Sequence, residues 1–348
     1  LENLRLNVAL LRRKVPNLTS AARSVGLRPA TVSNLCTGKI PVGRAEVKTL
    51  VALASLAECS LDELIIRGEV NEMVETGIKT VDLFAPLAKG GTIGLIARPG
   101  MGQLVLLAET FHRLRKQGFV TMLLMPEGEP SEIQDLLDQY DIIAYTIKEA
   151  YEQIEKIGKK ESIAFAADRS HVVTGEIIHL QEKLLVKDLK PVTTFLVDLK
   201  GEAVDEDLPY GPLETVWQFD ADLTARHLFP AVNPLYSTST VLEGAHLDQN
   251  HLSIQQRAKK LLRRYRELRS LVAIRGLENL PSTEQHTFKR GERLEAYLTQ
   301  PFYVAEEYTG KKGENVNLQE TIFDVRKILD GTTDSLDKEQ LTYIGNLT

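Results

Sequence analysis

The pattern of apolar and polar positions divides the chain into three stretches. Over residues 18–66 the pattern is helical. Ala21, Ala22 and Val25 recur at helix spacing, and Gly26 follows where a left-handed residue costs least. A second short helix is expected from Arg28 to Leu35, with Pro29 tolerated in its first turn and Gly38 ending it. "VKTLVALASLAE" reads as a third, strongly apolar helix. "SLDELI" opens a fourth, with Ser60 as N-cap and Glu63 at the capping-box position. Glu69 to Glu75 is a polar, acidic linker. Beyond it the strand-like runs "TIGLIA", "FVTMLLM", "SIAFAAD" and "TTFLVDL" alternate with amphipathic stretches, which predicts a mostly parallel sheet with helices on its faces. "KEAYEQIEKIGKKE" reads as a solvated helix with charge pairs at i,i+4, and Trp217 as packed or interfacial. From about residue 250 the chain is mainly helical, "LSIQQRAKKLLRRYRELRSLVAI" being the clearest amphipathic run. The expected fold class is therefore multi-domain: an all-α N-terminal domain over 1–68, an α/β central domain over 69–245 and an α-helical C-terminal domain over 246–348.

Composition changes this picture in two places. The 348 residues leave room for two or three domains, and no apolar run approaches the ~18 residues of a membrane span. The chain opens "LENLRLNVALLRRK", which has no cleavable signal pattern. Cys36 and Cys59 show no metal-ligand spacing, so a reducing cytoplasm without structural disulfides is expected. The seven histidines form no metal cluster in the sequence, and no metal site is expected. Charge is uneven. Residues 1–70 hold ten Lys/Arg against six Asp/Glu, whereas the whole chain is at -6. A basic end on an acidic body points to a module that binds a polyanion.

Two short helices around a glycine turn make a helix-turn-helix. Their order, "ATVSNLCTGK" as second helix and exit, and the "SLDELI" close resemble the Cro and phage-repressor (XRE-like) DNA-binding domains over about sixty residues. That resemblance places Arg28, Pro29, Ala30 and Asn34 on the face entering the major groove of double-stranded DNA, with Thr31 and Ser33 flanking it. Lys39, Arg44 and Thr19 fall near phosphates. Arginine pairs with guanine, asparagine with adenine, and alanine touches a thymine methyl. Such domains act as dimers on paired half-sites, so a dimer or higher homo-oligomer is expected.

"TIGLIARPGMGQLVLLAETF" has the rhythm of a phosphate-binding loop between a strand and a helix. "ETGIKTVDLFAPLAKGGTIGL", "LFPAVNPLYSTSTVLE", the long block "LLRRYRELRSLVAIRGLENLPSTEQHTFKRGERLEAYLTQPFYVAEEYTG" and "ETIFDVRKILDG" resemble, in collinear order, the F-type ATP synthase β subunit. The resemblance implies a RecA-like α/β P-loop-type central domain. A working loop reads G-x-x-x-x-G-K-[ST]: lysine neutralises phosphate charge and the hydroxyl holds magnesium. Here Ala97 replaces the first glycine, Gly100 and Gly102 remain, and Gln103 and Leu104 stand where lysine and the hydroxyl belong. Hydrolysis is not expected, so no catalytic residue is assigned. Glu127 and Asp168 fall at the family's acidic positions. Phe229, Phe302, Ala305 and Tyr308 match its adenine slot, and Arg98 is a new cation in the loop. The expected ligand is a purine nucleotide without tightly bound magnesium. The whole reads as a cytoplasmic DNA-binding transcriptional regulator with a ligand-sensing or oligomerising body. The alternatives are a DNA-tethered ATPase with an unorthodox loop, a purely structural assembly protein, and a regulator that docks onto ATP synthase subunits.

Overall fold

The computed structural model describes residues 4–15, 18–36, 40–67, 72–126, 128, 133, 137–206, 209–211, 213–243 and 248–347. Gly38, Lys39 and Glu127 lie outside these, as do the expected boundaries near 68 and 245.

The N-terminal body contains β1 (Leu4–Leu6), α1 (Val8–Lys14), α2 (Leu18–Ser24), α3 (Pro29–Cys36), α4 (Val47–Leu56), α5 (Leu61–Leu64) and β2 (Ile65–Arg67). Leu6, Val8, Leu11, Ala22, Val32, Leu35, Leu50, Leu53 and Leu64 form its core. Gly26 takes φ +74°, and Leu27 N–H returns to the Ala22 carbonyl at 2.8 Å, closing α2 with a left-handed cap. Ser60 and Glu63 form the expected capping box. One expectation is corrected: the body is not all-α. β1 and β2 pair antiparallel, Leu4 opposite Arg67 and Leu6 opposite Ile65. "SLDELI" was expected to continue as helix, but Ile65 is extended at φ -111°, ψ 112°, and the β-branched pair that follows Leu64 enters the ladder instead. Three-residue strands are too short to show a periodicity.

The central body begins with β3 (Met73–Val74), α6 (Lys79–Phe84) and β4 (Leu87–Ala88). β5 (Thr92–Ile96), α7 (Gln103–Lys116), β6 (Val120–Leu124), β7 (Ile142–Ala144) and α8 (Ile147–Ile157) follow. Then come β8 (Ile163–Asp168), α9 (Ser170–Val173), α10 (Glu176–Leu185), β9 (Val192–Val197), β10 (Thr215–Gln218), α11 (Ala221–Ala225) and β11 (Thr238–Ser239). Seven strands lie in the order β11-β10-β5-β9-β8-β6-β7, parallel except for β11 on its edge. Both faces are covered, which explains the continuous apolar runs. Ile93, Leu95, Leu107, Phe111, Phe195 and Trp217 fill one face; Met122, Leu124, Phe165, Ile177, Leu180 and Leu196 fill the other. Trp217 is fully buried in β10, its indole N–H on the Ala85 carbonyl at 3.0 Å. The helix expected to be solvated is α8, and it is amphipathic: Ala150 and Ile154 are buried, and the Lys148–Glu152 pair lies outside.

The C-terminal region is helical, as expected, with α12 (Gln249–Arg275), α13 (Ser282–Tyr297), α14 (Glu306–Thr309), α15 (Leu318–Asp330) and α16 (Lys338–Leu341). Ile254, Ala258, Leu262, Leu294, Tyr297, Ile322, Val325 and Ile328 pack with Leu83 and Phe84 of α6, so the helices share a core with the segment that leads into the sheet. No helix among the described residues is long and apolar enough to cross a membrane.

Buried charges tie the two regions together. Arg113 and Glu109 form an ion pair at 2.6 Å within α7, at 3% and 0% side-chain exposure. Arg113 also donates to the carbonyls of Gly77 (2.9 Å) and Glu314 (2.7 Å) and to Asn315 Oδ1 (3.0 Å), and Glu109 accepts from Val304 N–H at 3.1 Å. Lys79 Nζ donates to the carbonyls of Ile344 (2.9 Å) and Gly345 (3.2 Å), 4.1 Å from the centre of the Tyr297 ring. Burial pulls the Lys79 ammonium down to about 7, against Asp324 and Glu314, which favour its charge. An unfolded lysine titrates near ~10.4. Between those values the unfolded chain binds the extra proton, so stability rises with pH through the window and that gain is lost as pH falls to about 7. Lys79→Met is expected to flatten the rise. Urea midpoints measured across the window check it, and an unchanged slope would contradict the assignment.

Candidate functional site

The loop between β5 and α7 joins a buried strand to a helix, with Gln103 and Leu104 at the helix end. Ala97 is buried at the strand end. Arg98 N–H points to Met101 Sδ at 3.4 Å, and Gly100 and Gly102 take φ +82° and +85°, where glycine is at home. Gly102 caps α7, whose first residue, Gln103, is buried at 4% exposure. The positive end of a fourteen-residue helix therefore opens at the loop. Leu104 is half-buried and brings no polar group.

The neighbouring strand ends converge on the same edge of the sheet. β9 lies between β5 and β8. Asp168 ends β8 and accepts from Ser170 Oγ (2.7 Å), Ser170 N–H (2.9 Å) and Leu199 N–H (3.1 Å), so its oxygens are engaged by its own chain. Asp198, just after β9, accepts from Lys200 N–H (2.9 Å) and Ala203 N–H (2.5 Å) and folds the next residues into a turn. Gly201, at φ +76°, packs so closely on the loop that a Cβ there would sit 2.5 Å from Pro99 Cδ. Arg98 Nη2 meets Asp205 Oδ1 at 3.3 Å, an exposed pair. Arg169 bonds Glu202 at 3.0 Å and also Glu206, whose carboxylate holds the guanidinium above its ordinary range.

The adenine-slot residues separate. Phe229 lies beside Gly102, its ring 3.5 Å from the place a Cβ would take. Phe302 and Ala305 belong to the same apolar cluster as Phe229, with Phe302 buried in it. Tyr308 does not join them. It sits on the single turn α14 before Gly310 turns the chain away at φ +64°, and it is 87% exposed. Of the four expected slot residues, Tyr308 alone stands apart from the cluster. The tail approaches from another side: Tyr343 Oη accepts from Phe229 N–H (3.1 Å) and donates to the His227 carbonyl (2.5 Å). A separate cleft, open to solvent, is lined by Leu223, Val232, Leu262 and Leu298 and by no residue of the β5–α7 loop. Among its charged residues, Asp222 binds Arg269 and Arg226, which hold its carboxyl well below the usual range.

In the N-terminal body, α3 turns Val32, Leu35 and Cys36 inward. Arg28, Ala30 and Ser33 are exposed, while Pro29, Thr31 and Asn34 are half-buried. The Arg28 carbonyl accepts from Thr31 and Val32, so Arg28 stands at the helix entrance. Arg44 is exposed on the short turn Val42–Arg44. Thr19 falls in the first turn of α2. Lys39 and Glu127 are outside the described residues.

A family model described as the C-terminal domain of V and A type ATP synthase matches residues 242–336. Those residues form a domain related to it. The match covers α12 through α15 and stops just before α16. It names the V and A types, where the sequence blocks resembled the F-type β subunit. Within this V/A-type-related domain lie Phe302, Ala305 and Tyr308, so three of the four slot residues belong to the matched segment.

Asp198, Gly201, Asp205 and Tyr343 were not legible as site residues. Each acts through a partner about a hundred positions away, except Asp198, whose turn is local and whose short polar stretch carried no motif.

Proposed function

We propose that the chain is a sequence-specific, double-stranded-DNA-binding regulator whose α/β and V/A-type-related regions sense a ligand or assemble copies without hydrolysing ATP. The observation that carries it is the α2–turn–α3 unit. Val32 and Leu35 anchor α3, while Arg28, Ala30, Ser33 and Asn34 form its outer side, with Arg44 nearby. A helix held this way can lie in a major groove, with Arg28 and Asn34 on base edges and Arg44 on phosphate. The +4 balance of residues 1–70 adds attraction for a polyanion. α2 and α3 with their left-handed turn support the XRE-like reading. The RecA-like reading is supported by the parallel sheet and by the opening of the β5 loop and Asp168 on one edge, where open α/β sheets bind ligands.

For the body, the loop without lysine and hydroxyl argues against phosphoryl transfer, which depends on charge stabilisation. The ring of Phe229 beside Gly102 supports one face of a purine site. Duplex DNA should shift the fluorescence anisotropy of the full chain's complex at low salt and less at high salt. Phosphate release from ATP should stay at background with or without that DNA. Absence of duplex binding would sink the regulator reading, and turnover abolished by Glu127→Gln would replace it with the DNA-tethered ATPase. A purely assembling body is favoured by the engagement of Asp168 and Arg98 within the chain. Light scattering that shows ligand-independent oligomers would select it.

A further inference from the structure

We propose that the segment from Asp198 to Glu206 is a built-in anion seated on the β5–α7 loop, which makes that site favour purine ligands carrying at most one phosphate. The inference rests on the ligand-sensing reading above and specifies its ligand class. Arg98 is the one charged residue among positions 97–104, and its guanidinium already meets Asp205 at 3.3 Å. Pro99 is covered by the backbone of Gly201, so the segment lies against the loop wall itself. Two devices hold it there. Asp198 binds the amides of Lys200 and Ala203, and Arg169, nearly buried, binds Glu202 and Glu206.

The charge balance of this edge decides the ligand. Asp168, Asp198, Glu202, Asp205 and Glu206 face Arg98, Arg169 and Lys200, five carboxylates against three cations. Arg169 is committed to two of those carboxylates, and Arg98 to a third. Gln103 brings no charge where a polyphosphate would need one. A triphosphate would therefore lie beside uncompensated negative charge, and each added phosphate increases the repulsion. A nucleoside or monophosphate needs little: the α7 N-terminus, the loop amides and Arg98, with the phosphate taking the place of Asp205. The Phe229 ring offers the base a stacking face.

The test is calorimetry on the full chain with adenosine, AMP, ADP and ATP in magnesium-free buffer, for the wild type and for Asp205→Asn. Asp205 is 73% exposed at its side chain, so the variant is expected to fold. In the wild type ATP should bind about five-fold or more weakly than AMP at low salt, and the gap should narrow as salt screens the edge. In Asp205→Asn, ATP should gain several-fold while adenosine is unchanged. ATP binding as tightly as AMP in the wild type, or an unchanged ATP-to-AMP ratio in the variant, would overturn this inference while leaving ligand sensing intact. Failure of all four to bind would overturn both.

Discussion

Replacing Arg113 with alanine is expected to destabilise the body of the protein by about 3–5 kcal/mol, the cost of stranding a buried partner charge. Glu109 would be left without its cation at 0% side-chain exposure, and the carbonyls of Gly77 and Glu314 would lose their donor. The effect should be larger than the loss of any surface pair, because exposed pairs are worth roughly 0–1 kcal/mol. The guanidinium touches α7, the strand-leading segment at 76–77 and the Glu314–Asn315 segment of the V/A-type-related domain. Its loss should therefore loosen the joint between that domain and the sheet as well as lower the urea midpoint. Glu109→Leu with Arg113→Met should recover part of the stability, since neither charge is then stranded. A single variant as stable as the wild type would show that the pair is not the joint described.

The second large effect concerns DNA. On a duplex that the wild type selects, Arg28→Ala and Asn34→Ala should each lose about 1–3 kcal/mol of discrimination, roughly 5- to 150-fold in relative affinity against a single-base mismatch. Each should relax selectivity at one base position and leave binding to non-specific duplex nearly intact. Arg44→Ala should do the opposite, weakening binding to every duplex alike, because phosphate contacts carry no sequence. Pro29 and Ala30 make the contrast sharper. They offer no side-chain hydrogen bonds, so readout is expected to rest on Arg28 and Asn34. Anisotropy competition with matched and mismatched duplexes measures both kinds of change.

The parts of the fold visible in the sequence were those set by local pattern. β5, β6, β8 and β9 were found because a sheet buried on both faces leaves unbroken apolar runs. α4 and the Ser60–Glu63 cap were found from their own residues. β10 was missed, although it carries Trp217 and pairs with β5, because a run of four residues is too short to show a period. β1 and β2 were missed for the same reason, and they pair across about sixty residues. The loop was recognisable from "ARPGMGQL", but its occupancy was not: Arg98 stood out as a new cation, and nothing near it in the chain indicated that Asp205 would neutralise it. The four residues expected to form an adenine slot come together only in part. Phe229, Phe302 and Ala305 do gather, since apolar packing holds them. Tyr308 stays outside, because one helical turn ending in Gly310 points its ring to solvent. Tyr343, on the tail near Phe229, could not be placed from the sequence.

Selection of the full chain against a randomised duplex pool, followed by sequencing of the retained DNA, tests the central claim most directly. The account predicts enrichment of a defined sequence by the wild type, read as paired half-sites if copies associate, and loss of information at one position with Asn34→Ala. Retention of the pool without enrichment, or an enriched sequence that Arg28→Ala and Asn34→Ala both leave unchanged, would contradict it.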